Sequence, residues 1–200
     1  MRYCSKPVRR GSKVALLAIA AMVCVSAVEY KPKPWWKLEF EALELRAITV
    51  RDVKGDPVRC LYLIYRVTNA SKRPIRYVPE FYLETDTDKT YLDLVQLEAE
   101  RAVEEEKGRQ YLNSVEMMGE IPPDLIKEGI AIFPDVTPQA KKLTLVVFGL
   151  TNEYRMLERF GSIIFERKAF VVEYARPGSS PDRELDPILY KNNEEWVWRR

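Results

Sequence analysis

The chain has 200 residues, of which 46% are hydrophobic and 11% aromatic, and this is the composition of a folded globular protein. A chain of this length can bury about 70% of the surface that it exposes when unfolded, which excludes global disorder and allows a large core. The formal net charge is +2, but the basic excess lies in the N-terminal segment. No run of Lys and Arg interleaved with aromatic residues follows, so the sequence excludes nucleic acid as the expected partner.

The N-terminus has the layout of a signal peptide. The apolar stretch from Val14 to Ala27 follows five basic residues, Arg2, Lys6, Arg9, Arg10 and Lys13. Because a transmembrane helix needs about 20 apolar residues, we predict cleavage after Ala27, no permanent membrane span, and a periplasmic or secreted protein of the cell envelope. Three alternatives stay open: a twin-arginine signal at Arg9-Arg10, lipidation of Cys24, and retention of the segment as an anchor.

The residue types in the sequence exclude most kinds of catalytic and metal-binding site. The chain has no histidine, so a Ser-His-Asp or Cys-His mechanism and a His-containing zinc site lack their imidazole. Cleavage would leave Cys60 as a lone thiol inside an apolar run, where burial is the expected role. The glycines are isolated, so no Gly-rich phosphate loop is present. We therefore predict a protein without cofactor or metal that is not an enzyme.

Alternation of apolar and polar residues with a period of two predicts a mainly β fold. Along residues 36–50 the apolar phase shifts twice, which predicts bulges or bends. The run 59–69 is apolar on both faces, which predicts a central strand. Residues 69–74 are predicted to form a turn. Further strands are predicted at 80–95 as a hairpin with its turn near 87–89, and at 129–133 and 143–150. The segments 163–165 and 169–175 are predicted to add one or two more strands.

Good helix formers replace β-branched residues between Leu94 and Met118, which predicts one inserted acidic helix. A short additional helix is predicted at 153–160. Seven or eight strands at this spacing predict an immunoglobulin-like antiparallel β-sandwich over residues 28–176. Residues 177–200 are expected to form a C-terminal tail that packs back on this domain.

Several segments carry a resemblance to a known family. The strand and turn from Val67 to Ile75, and Pro123-Asp124 before the strand Gly129 to Phe133, resemble exported bacterial immunoglobulin-like domains of the telokin-like kind. Phe148 to Tyr154 and the Trp-Val-Trp-Arg ending are similar to other exported bacterial proteins. The resemblance implies a sandwich fold and a protein that is exported, but it implies no shared activity.

The sharpest acidic cluster is Glu84, Asp86 and Asp88, with Asp93 further on. An EF-hand loop starting at Glu84 would need Gly and a bidentate acid where Lys89 and Val95 stand. We therefore expect a solvated hairpin face and no calcium site. Ser71-Lys72 is likewise expected to be part of a turn, since adjacent strand residues point to opposite faces and would not act together as a serine-lysine pair.

Four residues are the sequence candidates for partner binding: Trp196, Trp198, Glu104 and Glu105. Tryptophan is enriched at binding hot spots, and the acidic helix offers a charged face, although packing and solvation are the ordinary roles of both. We therefore expect an exported, non-catalytic binding or structural module that contacts another exported protein or envelope polymer. The alternative is a carboxylate-dependent extracellular hydrolase acting on a glycan, which would require paired acids in a cleft with one raised pKa.

Overall fold

The computed structural model of the chain describes residues 34–176 and 190–200. The predicted signal peptide and residues 177–189 of the predicted tail lie outside this part. In chain order the strands are β1 (Glu39–Arg51), β2 (Pro57–Thr68), β3 (Ile75–Tyr77), β4 (Glu80–Thr85), β5 (Thr90–Leu92), β6 (Gly119–Ile121), β7 (Ile126–Pro134), β8 (Lys142–Phe148), β9 (Tyr154–Arg159), β10 (Ser162–Ala175) and β11 (Tyr190–Arg199). Two helices, α1 (Leu97–Lys107) and α2 (Ser114–Met117), lie between β5 and β6.

The strands form two main antiparallel sheets. One has the order β1-β2-β7, and the other has the order β11-β10-β8-β4-β5 with β9 paired to β10. A small third sheet joins β3 to β6. The prediction of a mainly β, antiparallel sandwich is confirmed, while the immunoglobulin-like connectivity stays a prediction.

The main core lies between the two large sheets, where the inward residues of each strand alternate with outward ones. Strand β2 is central, because it pairs with β1 on one side and β7 on the other. Both of its faces are buried: Leu63 and Tyr65 point into the main core, and Tyr62 and Ile64 point into a second cluster. The predicted central strand is therefore confirmed.

Strand β1 confirms one of the two predicted phase shifts. Its pairing register with β2 shifts between Ala42 and Glu44, which is a bulge that leaves Leu43 exposed. No second shift occurs at Ile48 and Val50. These residues instead pack into the second cluster on the other face of the sheet, so the change of apolar phase reflects a second buried face.

Helix α1 covers that second face, where Ala99 and Val103 pack in the same cluster as Cys60. Burial raises the pKa of the Cys60 thiol to about 11, which agrees with the expected inert role. The predicted acidic helix is present but shorter than expected. It ends at Gly108, whose φ of 66° is left-handed, and α2 then begins after the N-cap Asn113. One predicted helix is therefore two.

The helix predicted at 153–160 is wrong. Residues 154–159 form strand β9, which pairs with β10 across the two-residue turn Phe160-Gly161. The segments 163–165 and 169–175, predicted as one or two strands, are one continuous strand, β10. Neither helix in the described part of the chain is long and apolar enough to cross a membrane.

Candidate functional site

A β-hairpin made of β9 and the first part of β10 projects beyond the six-stranded sheet. Strand β4 ends against β8 at the pair Glu80–Phe148, and β11 ends against β10 at the pair Arg199–Arg167. Beyond these pairs the hairpin continues for five residue pairs, which is ~17 Å at about 3.3 Å per residue. Within the described residues, neither outer edge of this hairpin has a strand partner.

One face of the hairpin is apolar and exposed. Because opposite residues in an antiparallel pair share a face, the register Met156–Phe165 and Glu158–Ile163 assigns each side chain. The exposed fractions of the four apolar residues on this face are Tyr154 54%, Met156 60%, Ile163 67% and Phe165 60%. We call these four residues the apolar face. Large apolar side chains rarely gather in solvent unless the surface binds a partner.

Phe160 forms the tip of the hairpin and is fully exposed. Phe160 and Gly161 have φ values of 51° and 74°, as a type I′ turn requires. Asn or Asp ordinarily precedes Gly in such a turn, because a bulky side chain at positive φ is strained by about 1 kcal/mol. Phe160 therefore adopts a backbone conformation that a large side chain disfavours. Its ring is exposed, so packing within the described chain does not offset the cost of this strain.

A pocket of about 360 Å³ opens at the base of the same face. Tyr154, Phe165 and Arg167 line one side, and Phe148 with the loop 149–153 lines the other. The loop is held in place because the Thr151 hydroxyl donates to the Trp36 carbonyl at 2.6 Å. Gly149 has a φ of 84°, and a β-carbon there would lie 2.1 Å from the Val78 carbonyl oxygen, so the pocket wall requires glycine.

Ion pairs brace the base of the hairpin. Arg167 donates to both carboxylate oxygens of Glu80 at 2.8 and 2.9 Å, and this bidentate pair lowers the pKa of the Glu80 carboxyl. On the opposite hairpin face the Nε of Arg155 donates to the buried Glu166 at 2.7 Å. The Arg167–Glu80 pair joins the hairpin to β4, and the Arg155–Glu166 pair joins the two strands of the hairpin to each other.

The structure separates the two tryptophans named as candidates. Trp196 packs into the main core against Phe170, with ring centroids 5.3 Å apart, and the Lys37 ammonium covers its ring at 4.2 Å. Trp198 lies near the surface, where the cationic groups of Arg155 and Lys168 lie 4.8 and 5.6 Å from its ring centroid. Trp196 therefore has a packing role in the main core, whereas both tryptophans are half-buried and the ring contacts of Trp198 are with cationic side chains.

Trp198 also lines a cleft of about 560 Å³ beside the outer face of the six-stranded sheet. Tyr82, Phe148 and Arg199 contribute to the same cleft. Arg199 is paired with Glu84 at 3.3 Å, which places one member of the acidic cluster here. The Phe148 ring is covered by the Arg167 guanidinium at 4.3 Å, so the aromatic surface left for a ligand is small.

The two glutamates named as candidates lie on the exposed side of α1. Glu104 accepts a hydrogen bond from the Tyr111 backbone N–H at 3.3 Å, while Glu105 is exposed. Glu104 also lines a cleft of about 300 Å³ together with Glu100 and Glu116. This cleft is the nearest feature in the described residues to the paired acids that a hydrolase would need.

Asp93 has a strongly perturbed carboxyl group. Burial raises its pKa from 3.8 to about 7, with the nearby Glu100 charge adding to the shift and the hydrogen bond from the Ile132 N–H opposing it. That N–H donates at 2.7 Å, and the Ser114 hydroxyl donates to the other oxygen. Glu100 in turn accepts from the Asn113 side chain at 3.2 Å. Asp93 therefore fastens the start of α2 to β7, and Glu100 joins α1 to the start of α2.

The remaining acids of the predicted cluster are dispersed. Asp86 accepts from the Lys141 backbone N–H at 3.0 Å, and Asp88 lies in the β4–β5 turn at the predicted position. No group of three or more metal-ligating side chains occurs among the described residues. Ser71 donates its hydroxyl to Asn69 at 2.7 Å and forms part of the predicted turn.

None of the hairpin residues is among the binding candidates named from the sequence, and the local signal for a hairpin is limited to the Phe160-Gly161 pair. Two short runs that contain several apolar residues, Tyr154 to Arg159 and Ser162 to Phe165, lie on either side of Phe-Gly, but neither alternates strictly between apolar and polar residues. A two-residue turn with glycine in second place is nonetheless typical of a hairpin.

Comparisons with known proteins add little to this geometry. No family model matches the chain, and no curated protein matches it. Among solved structures, the chain is similar to a conserved hypothetical protein from Bacillus anthracis, with 14% sequence identity and a TM-score of 0.36. That similarity covers 56% of this chain and 92% of the other. A similarity this remote carries no argument about function.

Proposed function

We propose that this protein is an exported, non-catalytic binding module of the cell envelope, and that the β9–β10 hairpin docks it onto a protein. The observation that carries this proposal is the exposed apolar face with Phe160 at its tip. Burying such a surface against a partner contributes about 25 cal/mol for each Å² of apolar area removed from water. An apolar face suits a protein partner better than a polar envelope polymer.

The hairpin has the properties of a docking element. It is braced at its base by Arg167–Glu80 and Arg155–Glu166, so little ordering entropy is lost when it binds. Its outer edges also present backbone groups without a strand partner in the described chain, which another strand can pair with. Trp198 lies at the base of the hairpin beside Arg155, on the face opposite to the apolar face, so it is not part of the proposed docking surface.

Site-specific photocrosslinking in the native cell envelope tests the proposal. The photoreactive residue p-benzoylphenylalanine replaces Phe160 in one version of the tagged chain and Val53 in the control. Val53 is an equally isolated apolar residue in the β1–β2 turn. We expect the probe at position 160 to capture a defined protein severalfold more efficiently than the probe at position 53. Equal capture from both positions would overturn the proposal.

A glycan hydrolase is the second candidate, and the acid-lined cleft beside α1 is the observation that favours it. Against it, Glu100 and Glu104 already accept hydrogen bonds that hold the local backbone. Incubation with envelope glycans tests this candidate directly. Hydrolysis that Glu100→Gln abolishes while the variant stays folded would replace the binding proposal, and we expect no hydrolysis.

A further inference from the structure

We infer that the partner of the hairpin is a second copy of this chain, and that the two copies stack their apolar faces antiparallel with Phe160 of each in the base pocket of the other. This inference rests on the proposed docking role of the hairpin. The apolar face carries a protruding tip at one end and an open pocket at the other. A two-fold axis through the middle of the face places each tip over the partner copy's base, and such an interface is closed and self-complementary.

The charged residues on this face fit the same arrangement. Glu158 lies near the tip and has no ion-pair partner among the described residues, whereas Arg167 lies at the base. In the antiparallel stack, Glu158 of one copy faces the base of the other. The Arg167 guanidinium has five N–H donors, and its hydrogen bonds to Glu80 use two of them, so donors remain for a second carboxylate.

The available area sets the strength of the contact. Five large side chains that are half or more exposed offer on the order of 500 Å² per copy, since a large side chain buries about 150–250 Å² when fully covered. Two copies then bury about 1,000 Å² in total, which is near the lower limit for a specific interface. The expected complex is therefore a weak dimer with a dissociation constant in the micromolar range.

A lipid surface fits these residues less well. Glu158 lies on the apolar face between Met156 and the tip, so insertion would bury an unpaired carboxylate. The charges of the hairpin are also mixed, because Glu158 and Glu166 accompany Arg155 and Arg159. A surface that binds anionic lipid ordinarily carries an excess of basic residues.

Sedimentation velocity of the purified full-length chain across the micromolar range tests the dimer. We expect Phe160→Asn to raise the dissociation constant at least about tenfold, because it removes the residue that fills the pocket and retains the turn. Val53→Asn is the matched control and is expected to leave the dissociation constant unchanged. A chain that stays monomeric throughout, or equal effects of both substitutions, would overturn the inference.

Photocrosslinking of the same purified chain tests the arrangement. With p-benzoylphenylalanine at position 160, we expect crosslinks to residues 148–154 of the second copy, mapped by mass spectrometry. Crosslinks between the two positions 160 would instead indicate parallel tips and would overturn the antiparallel stack. Binding to phosphatidylglycerol vesicles that Phe160→Asn abolishes, in a chain that forms no dimer, would identify a lipid surface as the occupant and reject the second copy.

The outcomes separate this inference from the proposed function. If the purified chain is monomeric and the probe at position 160 captures a different exported protein in the cell envelope, the docking role stands and the second copy is rejected. If neither the second copy nor another protein is captured, both are rejected.

Discussion

Phe160 occupies a backbone conformation that large side chains avoid, and its ring lies in solvent. Asn-Gly is the preferred pair for this turn, so we predict that Phe160→Asn raises the free energy of unfolding of the monomer by about 0.5–1 kcal/mol. Urea unfolding followed by tryptophan fluorescence, at a concentration where the chain is monomeric, measures this change. Val53→Asn should change it by less than about 0.5 kcal/mol. A loss of stability in Phe160→Asn would show that the ring supports the fold.

Asp93 makes stability depend on pH. Its pKa in the fold is about 7, against an ordinary value near 4 in the unfolded chain, so folding favours the protonated group. Stability is therefore fully present below pH ~4 and is lost as pH rises through about 7, by on the order of 3–4 kcal/mol. Tyr65 and Tyr77 are buried nearby with pKa values raised by burial, and they stay neutral across this range.

The substitution Asp93→Asn isolates this effect. The amide oxygen can accept from the Ile132 N–H, and the amide group can donate to Ser114, so the variant resembles the protonated acid. We predict that the variant gains stability over the wild type progressively from pH 4 to pH 8 in urea titrations. A gain that is the same at both pH values would mean that the group titrates normally.

The role of a residue could be predicted from the sequence where neighbouring residues determine it. It could not be predicted where a contact with a distant segment determines it. Asn69 occupies the predicted turn, and its side chain accepts from Ser71 two residues on. By contrast, Gly129 lies inside β7 because a β-carbon there would approach the Tyr65 ring to 2.5 Å. That requirement comes from the neighbouring strand β2, so no local pattern around residue 129 contains it.

At the scale of elements, the hairpin explains why the helix predicted at residues 153–160 is wrong. Taken alone, Tyr154 to Arg159 contains good helix formers such as Met156, Leu157 and Glu158, and propensity favours a helix. Pairing with β10 overrides that preference, since six cross-strand pairs form across one tight turn. The strand β2 was predicted correctly because its two apolar faces are a property of its own sequence.

Strand β11 allows a test that separates packing from surface exposure. Trp196 packs on Phe170 in the core, whereas Trp198 contacts only cationic side chains near the surface among the ring contacts of the described residues. We predict that Trp196→Ala lowers the free energy of unfolding by about 3 kcal/mol and that Trp198→Ala lowers it by about 1 kcal/mol or less. Thermal and urea unfolding of the two variants measure the difference. Equal losses would contradict the assigned packing.

At the scale of the whole molecule, the layers follow from which faces are apolar. The sheet β1-β2-β7 is buried on both faces, by the six-stranded sheet on one side and α1 on the other. The sequence indicated both the apolar faces of β2 and the inserted helix. That the helix covers this particular face depends on long-range contacts, such as the hydrogen bond from the Ile132 N–H to Asp93, 39 residues earlier in the chain.

The hairpin lies outside the two packed sheets, so we expect the rest of the chain to fold without it. At its base, the Lys168 N–H donates to the Glu153 carbonyl at 3.2 Å, and the Lys168 ammonium pairs with the Glu153 carboxylate at 2.7 Å. Residues 153 and 168 thus already have the hydrogen bond that closes a two-residue turn. We predict that replacing residues 154–167 by Asn-Gly leaves a cooperatively folded chain.

The free energy of unfolding of this excised variant should lie within about 2 kcal/mol of the wild-type monomer, since the main losses are the exposed Arg167–Glu80 pair and the contacts of Arg155 and Arg167 with the Trp198 and Phe148 rings. Circular dichroism and urea unfolding measure the fold, and sedimentation velocity of the same samples measures association. Because the apolar face is absent, the variant should remain monomeric at concentrations where the wild type associates. A variant that unfolds without cooperativity would show that the hairpin is part of the core, and a variant that still associates would place the contact elsewhere.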